Sequence, residues 1–151
     1  MNENKALAAA YIDKNSEIFC DVSKKIWDYA ELSLKEYRSC ELYCNVLEEH
    51  GFKVERNIGS MQTAFSGTWG SGKPVIGFLG EFDALSGLSQ KEGTSCKEEL
   101  IPGGSGHGCG HNLLGAGALA AAFATKDYLE RTGKPGTVIF FGCPGEEGGA
   151  G

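Results

Sequence analysis

Apolar side chains recur at helical spacing through the opening stretch: Leu7, Tyr11, Ile18, Val22 and Ile26, with Lys14, Glu17, Lys24 and Lys25 between them. This pattern predicts an amphipathic helix from Glu3 to about Glu31, or two helices joined near Asn15-Ser16. A second helix is predicted from about Glu36 to His50, with Cys40, Leu42, Val46 and Leu47 facing inward. Gly51 stands where a helix-terminating glycine belongs. The period then shortens. Phe52 to Glu55 alternates apolar and polar, Thr63 to Trp69 reads as a second strand, and Gly70 to Pro74 as a turn. Val75 to Leu79 is a nearly continuous apolar run, which predicts a strand covered on both faces.

Residues 84–110 show no period, and a connection of that length inside a compact domain is usually functional. Leu113 to Arg131 is small and apolar, as in a helix packed closely on a sheet, and Gly133 and Pro135 end it. Thr137 to Phe141 is a second continuous apolar strand. Strand, crossover helix, strand predicts a right-handed parallel βαβ unit. The fold class is therefore α/β, a mixed sheet with a parallel βαβ unit and flanking helices. In such sheets the reactive groups sit beyond the carboxyl ends of the strands. Glu81-Phe82-Asp83 follows the first parallel strand and Cys143 to Glu147 the second, while the loop holding Cys109 and His111 opens the crossover helix. All three stretches are expected on one rim.

The length of 151 residues fits one domain, 1–151, and the 41% hydrophobic content is that of a globular chain. A net charge of −6 with no basic run argues against nucleic acid and against an anionic membrane as partners. The apolar patch from Ala6 to Ile12 is too short and too closely flanked by charge to be a signal peptide, so a cytoplasmic location is expected. In that compartment the six cysteines are expected as free thiols rather than disulfides.

The chemistry concentrates in Gly106-His107-Gly108-Cys109-Gly110-His111-Asn112 and in Glu146-Glu147. A thiolate, an imidazole and a carboxylate are donors that Zn²⁺ accepts. A pair of glutamates offers two roles, one as ligand and one as carrier of the proton taken from water. Asp83 fits either a ligand or the group that orients one. Alone, each signal is weak; their convergence at strand ends gives them weight.

Gly80-Glu81-Phe82-Asp83-Ala84-Leu85, the Gly106 to Asn112 stretch and Pro144-Gly145-Glu146-Glu147-Gly148-Gly149 together resemble the aminoacylase/carboxypeptidase metallopeptidase family of amidohydrolases. Trp27 to Leu32, Tyr37-Arg38-Ser39 and Gly87 to Gln90 resemble its aminobenzoyl-glutamate branch. The resemblance implies a zinc-peptidase-like catalytic domain that hydrolyses the amide of an N-acyl or N-aroyl amino acid, or a dipeptide. It implies two divalent ions, Mn²⁺ or Zn²⁺, held in part by Cys109, His111 and Glu147. It makes Glu146 the general base and Asp83 the supporting aspartate. Glu81 stands where relatives outside the branch carry a ligand histidine, Asn112 where many have aspartate, and Ser86 where many have proline. In the family two further histidine ligands and a lid domain follow. With only His50, His107 and His111, this chain reads as the N-terminal part of a catalytic domain, without the lid and with weak or no activity alone. The full-length enzyme is expected to form homo- or hetero-oligomers.

The plainer readings are specific too. His107 is expected to hydrogen-bond rather than ligate, and His50 to favour a helix C-terminus. Cys40 and Cys44 read as packing thiols, and Glu31 with Arg38 as a surface pair. A structural metal site with four protein donors and no open position is the non-catalytic alternative. A phosphate cradle ranks last, because the glycine loop lacks a Gly-Lys-Ser/Thr ending.

Overall fold

The computed structural model describes residues 3–148; Gly149 of the last motif lies outside the described residues. Among the described residues, four α-helices and four strands run in the order α1 (Glu3–Lys14), α2 (Ser16–Tyr29), α3 (Tyr37–Glu49), β1 (Lys53–Arg56), β2 (Phe65–Ser71), β3 (Val75–Glu81), α4 (His111–Thr132) and β4 (Gly136–Cys143), with a short 3₁₀ helix at Ile58–Ser60 between β1 and β2. The predicted joint between the first two helices falls at Asn15. Gly51, at φ +81°, leaves α3 in the left-handed conformation expected of it.

The strands form one sheet in the order β1-β2-β4-β3. β1 with β2 and β2 with β4 are antiparallel, and β3 with β4 is parallel, Glu81 lying opposite Cys143. The expected βαβ unit is β3-α4-β4. α4 packs on both parallel strands, and α3 on β1 and β2. Tyr43, which the helical pattern did not single out, is the pivot of the core: it is fully buried, with ring centroids 5.9, 5.7 and 5.4 Å from Phe65, Phe82 and Phe140. Each such aromatic ring contributes roughly 1.5–3 kcal/mol through burial.

The expectation that Val75–Leu79 is covered on both faces is not met. β3 is an edge strand, and Val75 and Leu79 are 56% and 63% exposed. Gly80 and Phe140 face α4, so the alternation of a strand turns Leu79 and Phe141 to the opposite, open face. Leu7 of α1 is likewise exposed, although Val22 and Ile26 of α2 are buried as expected. Cys40 and Cys44 are buried, and all six cysteines are free thiols. The Glu31 carboxylate does not act as a surface partner of the Arg38 side chain. It accepts the backbone N–H groups of Arg38 and Ser39 at 2.9 Å, satisfying donors in the first turn of α3, while the Arg38 guanidinium lies over the Tyr29 ring.

The aperiodic connection between β3 and α4 is held by backbone pairing. Leu85 and Gly106 exchange N–H···O bonds, and the Ser89 N–H donates to Gly104. Ala84 bridges to Leu32, and its N–H donates to the Glu31 carbonyl at 2.8 Å. Sequence periodicity is blind to such cross-links because they join single residues rather than runs. Among the described residues, no helix is long and apolar enough to cross a membrane.

Candidate metal centre

Parallel pairing brings the carboxyl ends of β3 and β4 to one rim, and α4 begins there. Gly115 allows the close approach, because a Cβ on it would lie 2.3 Å from the Tyr43 hydroxyl and 2.6 Å from the Glu81 carbonyl oxygen. His111, the first residue of α4, is thereby set against the end of β3. Its side chain is 3% exposed.

The His111 ring is fixed from one side. Nδ1 lies 3.0 Å from both the carbonyl oxygen and Oδ1 of Asp83, which only accept, so Nδ1 carries the hydrogen. Asp83 is itself buried, and its Oδ2 accepts the Ser33 hydroxyl at 2.7 Å and the Glu147 N–H at 3.0 Å. One carboxylate thus orients the imidazole and anchors the loop that carries the glutamate pair.

The Nε2 lone pair then points at acceptors. Glu81, Glu146 and Glu147 carboxylate oxygens lie 3.3, 3.6 and 3.9 Å from it. Cys109, His111 and Glu147 form one group of donor atoms mutually within 4.8 Å, and Glu81, His111 and Glu146 form a second. All four acidic or thiol side chains around Nε2 are more accessible than His111 itself, from Glu147 at 21% to Glu146 at 44% for the glutamates, with Cys109 on the surface. The Glu147 carboxylate beside Cys109 is the chief cause that holds the thiol above its ordinary pKa; slight desolvation and the charges of Glu147, Glu146 and Glu81 push the same way.

These residues fit a divalent cation. Acceptors that face one another across 3–4 Å repel unless a positive charge sits between them. Glu147 Oε1 is buried without a hydrogen-bond partner. Soft thiolate, borderline imidazole and hard carboxylate in one group suit a metal ion. A cleft lined by Phe19, Trp27, Asn112 and Leu113 among others includes none of these five donors, so the centre is defined by its donor set.

All five residues singled out in the sequence, Asp83, Cys109, His111, Glu146 and Glu147, meet at this rim. Glu81, left without a role, joins them through His111. His107 stays apart from the donor groups: it is buried, its Nε2 lies 3.0 Å from the Ile26 carbonyl oxygen, and burial lowers its pKa. His50 Nδ1 lies 2.8 Å from the Val46 carbonyl at the end of α3. Sequence reasoning missed Ser33 and Glu36. Both lie in the short connector between α2 and α3, where a serine and a glutamate look like ordinary turn and helix-start residues.

A model of peptidase family M20/M25/M40 matches residues 77–151. One of the subunits of the p-aminobenzoyl-glutamate hydrolase of Escherichia coli (strain K12) is 50% identical over 140 residues, which cover 93% of this chain and 29% of that protein. The Xaa-Arg dipeptidase of Homo sapiens is 29% identical over 164 residues, 97% of this chain and 34% of that one. A solved Bacillus subtilis structure, described as a dinuclear metal binding peptidase from the M20 family, superposes with a TM-score of 0.64 at 20% identity, covering 93% of this chain and 36% of that one. The fold is thus the mixed α/β sheet found in M20 peptidases. The chain belongs to peptidase family M20/M25/M40. It spans about a third of the length of these curated relatives.

Proposed function

We propose that this chain supplies part of the metal centre of a hydrolase that cleaves the amide bond of an N-acyl or N-aroyl amino acid, of the aminobenzoyl-glutamate kind, or of a dipeptide. The observation that carries this is the ring of Glu81, Cys109, Glu146 and Glu147 donors around the outward nitrogen of one buried, pre-oriented imidazole. The identity to one component of a p-aminobenzoyl-glutamate hydrolase supports the substrate class, and that relative's being a subunit supports a hetero-oligomeric assembly.

Cys109, His111 and Glu147 would hold one divalent ion, Zn²⁺ or Mn²⁺; the Glu81, His111 and Glu146 group shares the same Nε2, whose one lone pair serves one ion, so a second ion would rest on Cys109 or the carboxylates rather than on His111. Bound there, such ions supply Lewis-acid polarisation of the scissile carbonyl and make a water molecule acidic near neutral pH. The protein's own part is positional and protonic. Asp83 fixes the His111 tautomer so that Nε2 keeps its lone pair for a ligand bond. Glu146, the most exposed glutamate of the group, takes a proton from the attacking water and returns it to the departing amine. Glu147, anchored by its N–H on Asp83, stays in place as ligand.

The test uses a polypeptide of the relatives' length that carries these residues, since this chain spans 29% of the bacterial relative. Glu146→Gln should retain metal while the rate constant for p-aminobenzoyl-glutamate or N-acyl amino acid hydrolysis falls at least about 100-fold. Turnover retained in that variant removes Glu146 from the base role. Loss of metal together with turnover makes it a ligand instead.

A further inference from the structure

The connector between α2 and α3, residues 30–36, touches every loop that contributes to the centre. The Ser105 hydroxyl donates to the Ala30 carbonyl, the Ala84 N–H to the Glu31 carbonyl, and the Ser33 hydroxyl to Asp83. Ala30 and Leu34 hold φ of 42° and 61°, the left-handed region that costs a side-chain-bearing residue energy. A segment held in that shape while bonded to both ends of the β3–α4 connection is built for placement.

Glu36 is its most constrained member. It is 0% exposed, and every polar contact it makes is to a donor. Oε1 accepts the Leu34 N–H at 2.9 Å and the Gly145 N–H at 2.8 Å, and Oε2 accepts the Thr63 hydroxyl at 2.9 Å. Among the described residues, no ion pair neutralises this buried carboxylate. Removing such a group from water is costly unless its hydrogen bonds are strong and fixed. Gly145 immediately precedes Glu146-Glu147, and its φ of +72° bends the chain there toward the rim. The bond from Gly145 to Glu36 spans 109 residues of sequence.

We infer that Glu36 is a positioning residue: through the Gly145 N–H it sets the loop that aims Glu146 and Glu147 at His111. Glu36 and Asp83 then grip the backbone of the same loop at two points, Gly145 and Glu147. This inference rests on the metal-centre reading only for its functional consequence; the loop restraint itself stands without it.

The experiment compares wild type, Glu36→Ala and Glu36→Gln well below their melting temperatures. Glutamine keeps one carbonyl oxygen for the Leu34 and Gly145 N–H groups and turns its amide toward the Thr63 hydroxyl, which also accepts. Mn²⁺ or Zn²⁺ affinity should fall at least about tenfold in Glu36→Ala and return to within about threefold of wild type in Glu36→Gln. Amide hydrogen exchange at Gly145 and Glu147 should accelerate in Glu36→Ala while β2 and β4 stay protected. Unchanged affinity and exchange in a folded Glu36→Ala, with only a lower melting temperature, overturns the inference. If the alanine variant does not fold, Glu36→Asp, one methylene too short to reach Gly145, serves instead under the same two outcomes. If wild type binds no metal, the function proposed above falls, and the exchange contrast alone upholds or overturns the role of Glu36.

Discussion

Alanine substitutions at Gly115 and Gly117, two residues apart in α4, should shift stability in opposite directions. Both positions are helical glycines, and replacing either with alanine removes a helix-propensity penalty of about 1 kcal/mol. At Gly117 a new methyl group meets nothing within 4 Å, so that gain is kept. At Gly115 it would lie 2.3 Å from the Tyr43 hydroxyl and 2.6 Å from the Glu81 carbonyl oxygen. Tyr43 is fully buried among aromatic rings, and the Glu81 carbonyl is strand backbone, so neither gives way easily. Overpacking of this kind costs about 1–3 kcal/mol, and with two stiff neighbours the upper end applies. The net expectation is a loss of about 2 kcal/mol for Gly115→Ala and a gain of about 1 kcal/mol for Gly117→Ala. At about 2–4 °C per kcal/mol for a domain of this size, the melting temperature should fall by about 6 °C in the first and rise by about 3 °C in the second. Thermal melts and urea midpoints of the purified protein measure both. A Gly115→Ala protein that melts at or above wild type refutes the packing of α4 on β3, and with it the placement of His111 beside Glu81.

Two further outcomes bear on the centre itself. Asp83→Asn places an amide where two donors and the His111 N–H expect acceptors, so metal affinity measured by competition with a chelator should drop about 10–100-fold, and an unchanged affinity would remove Asp83 from its orienting role. In metal-free protein the raised pKa of Cys109 keeps the thiol protonated at neutral pH; Glu147→Gln lowers that pKa, raises the thiolate fraction and should speed iodoacetamide alkylation of Cys109, whereas an equal or slower rate would deny their contact.

The sequence carried the mixed α/β fold and the meeting of these side chains on one rim, but not the position of β3 at the edge of the sheet. Cys109 and His111 stand out because glycines isolate them, and Glu146-Glu147 because they follow a buried strand; parallel strands ending on one rim did the rest. Strand periodicity, however, reports apolar content and not coverage. Val75–Leu79 has the composition of a central strand yet lies at the sheet edge, with one face open. Glu36 was legible only as a residue near a helix start, because its partner Gly145 is a backbone N–H 109 residues away and leaves no trace in spacing. Asp83 was found because it follows a strand; Ser33, which steadies it, follows nothing that a pattern records.

Cobalt provides the most direct check on the centre, because a thiolate bound to Co²⁺ gives an intense near-ultraviolet charge-transfer band. Titrated with Co²⁺, the wild-type protein should develop that band, and Cys109→Ser should lose it although the five other cysteines remain. An equally strong band in Cys109→Ser, or none in wild-type protein that binds the metal, would place the thiol outside the centre and contradict the account.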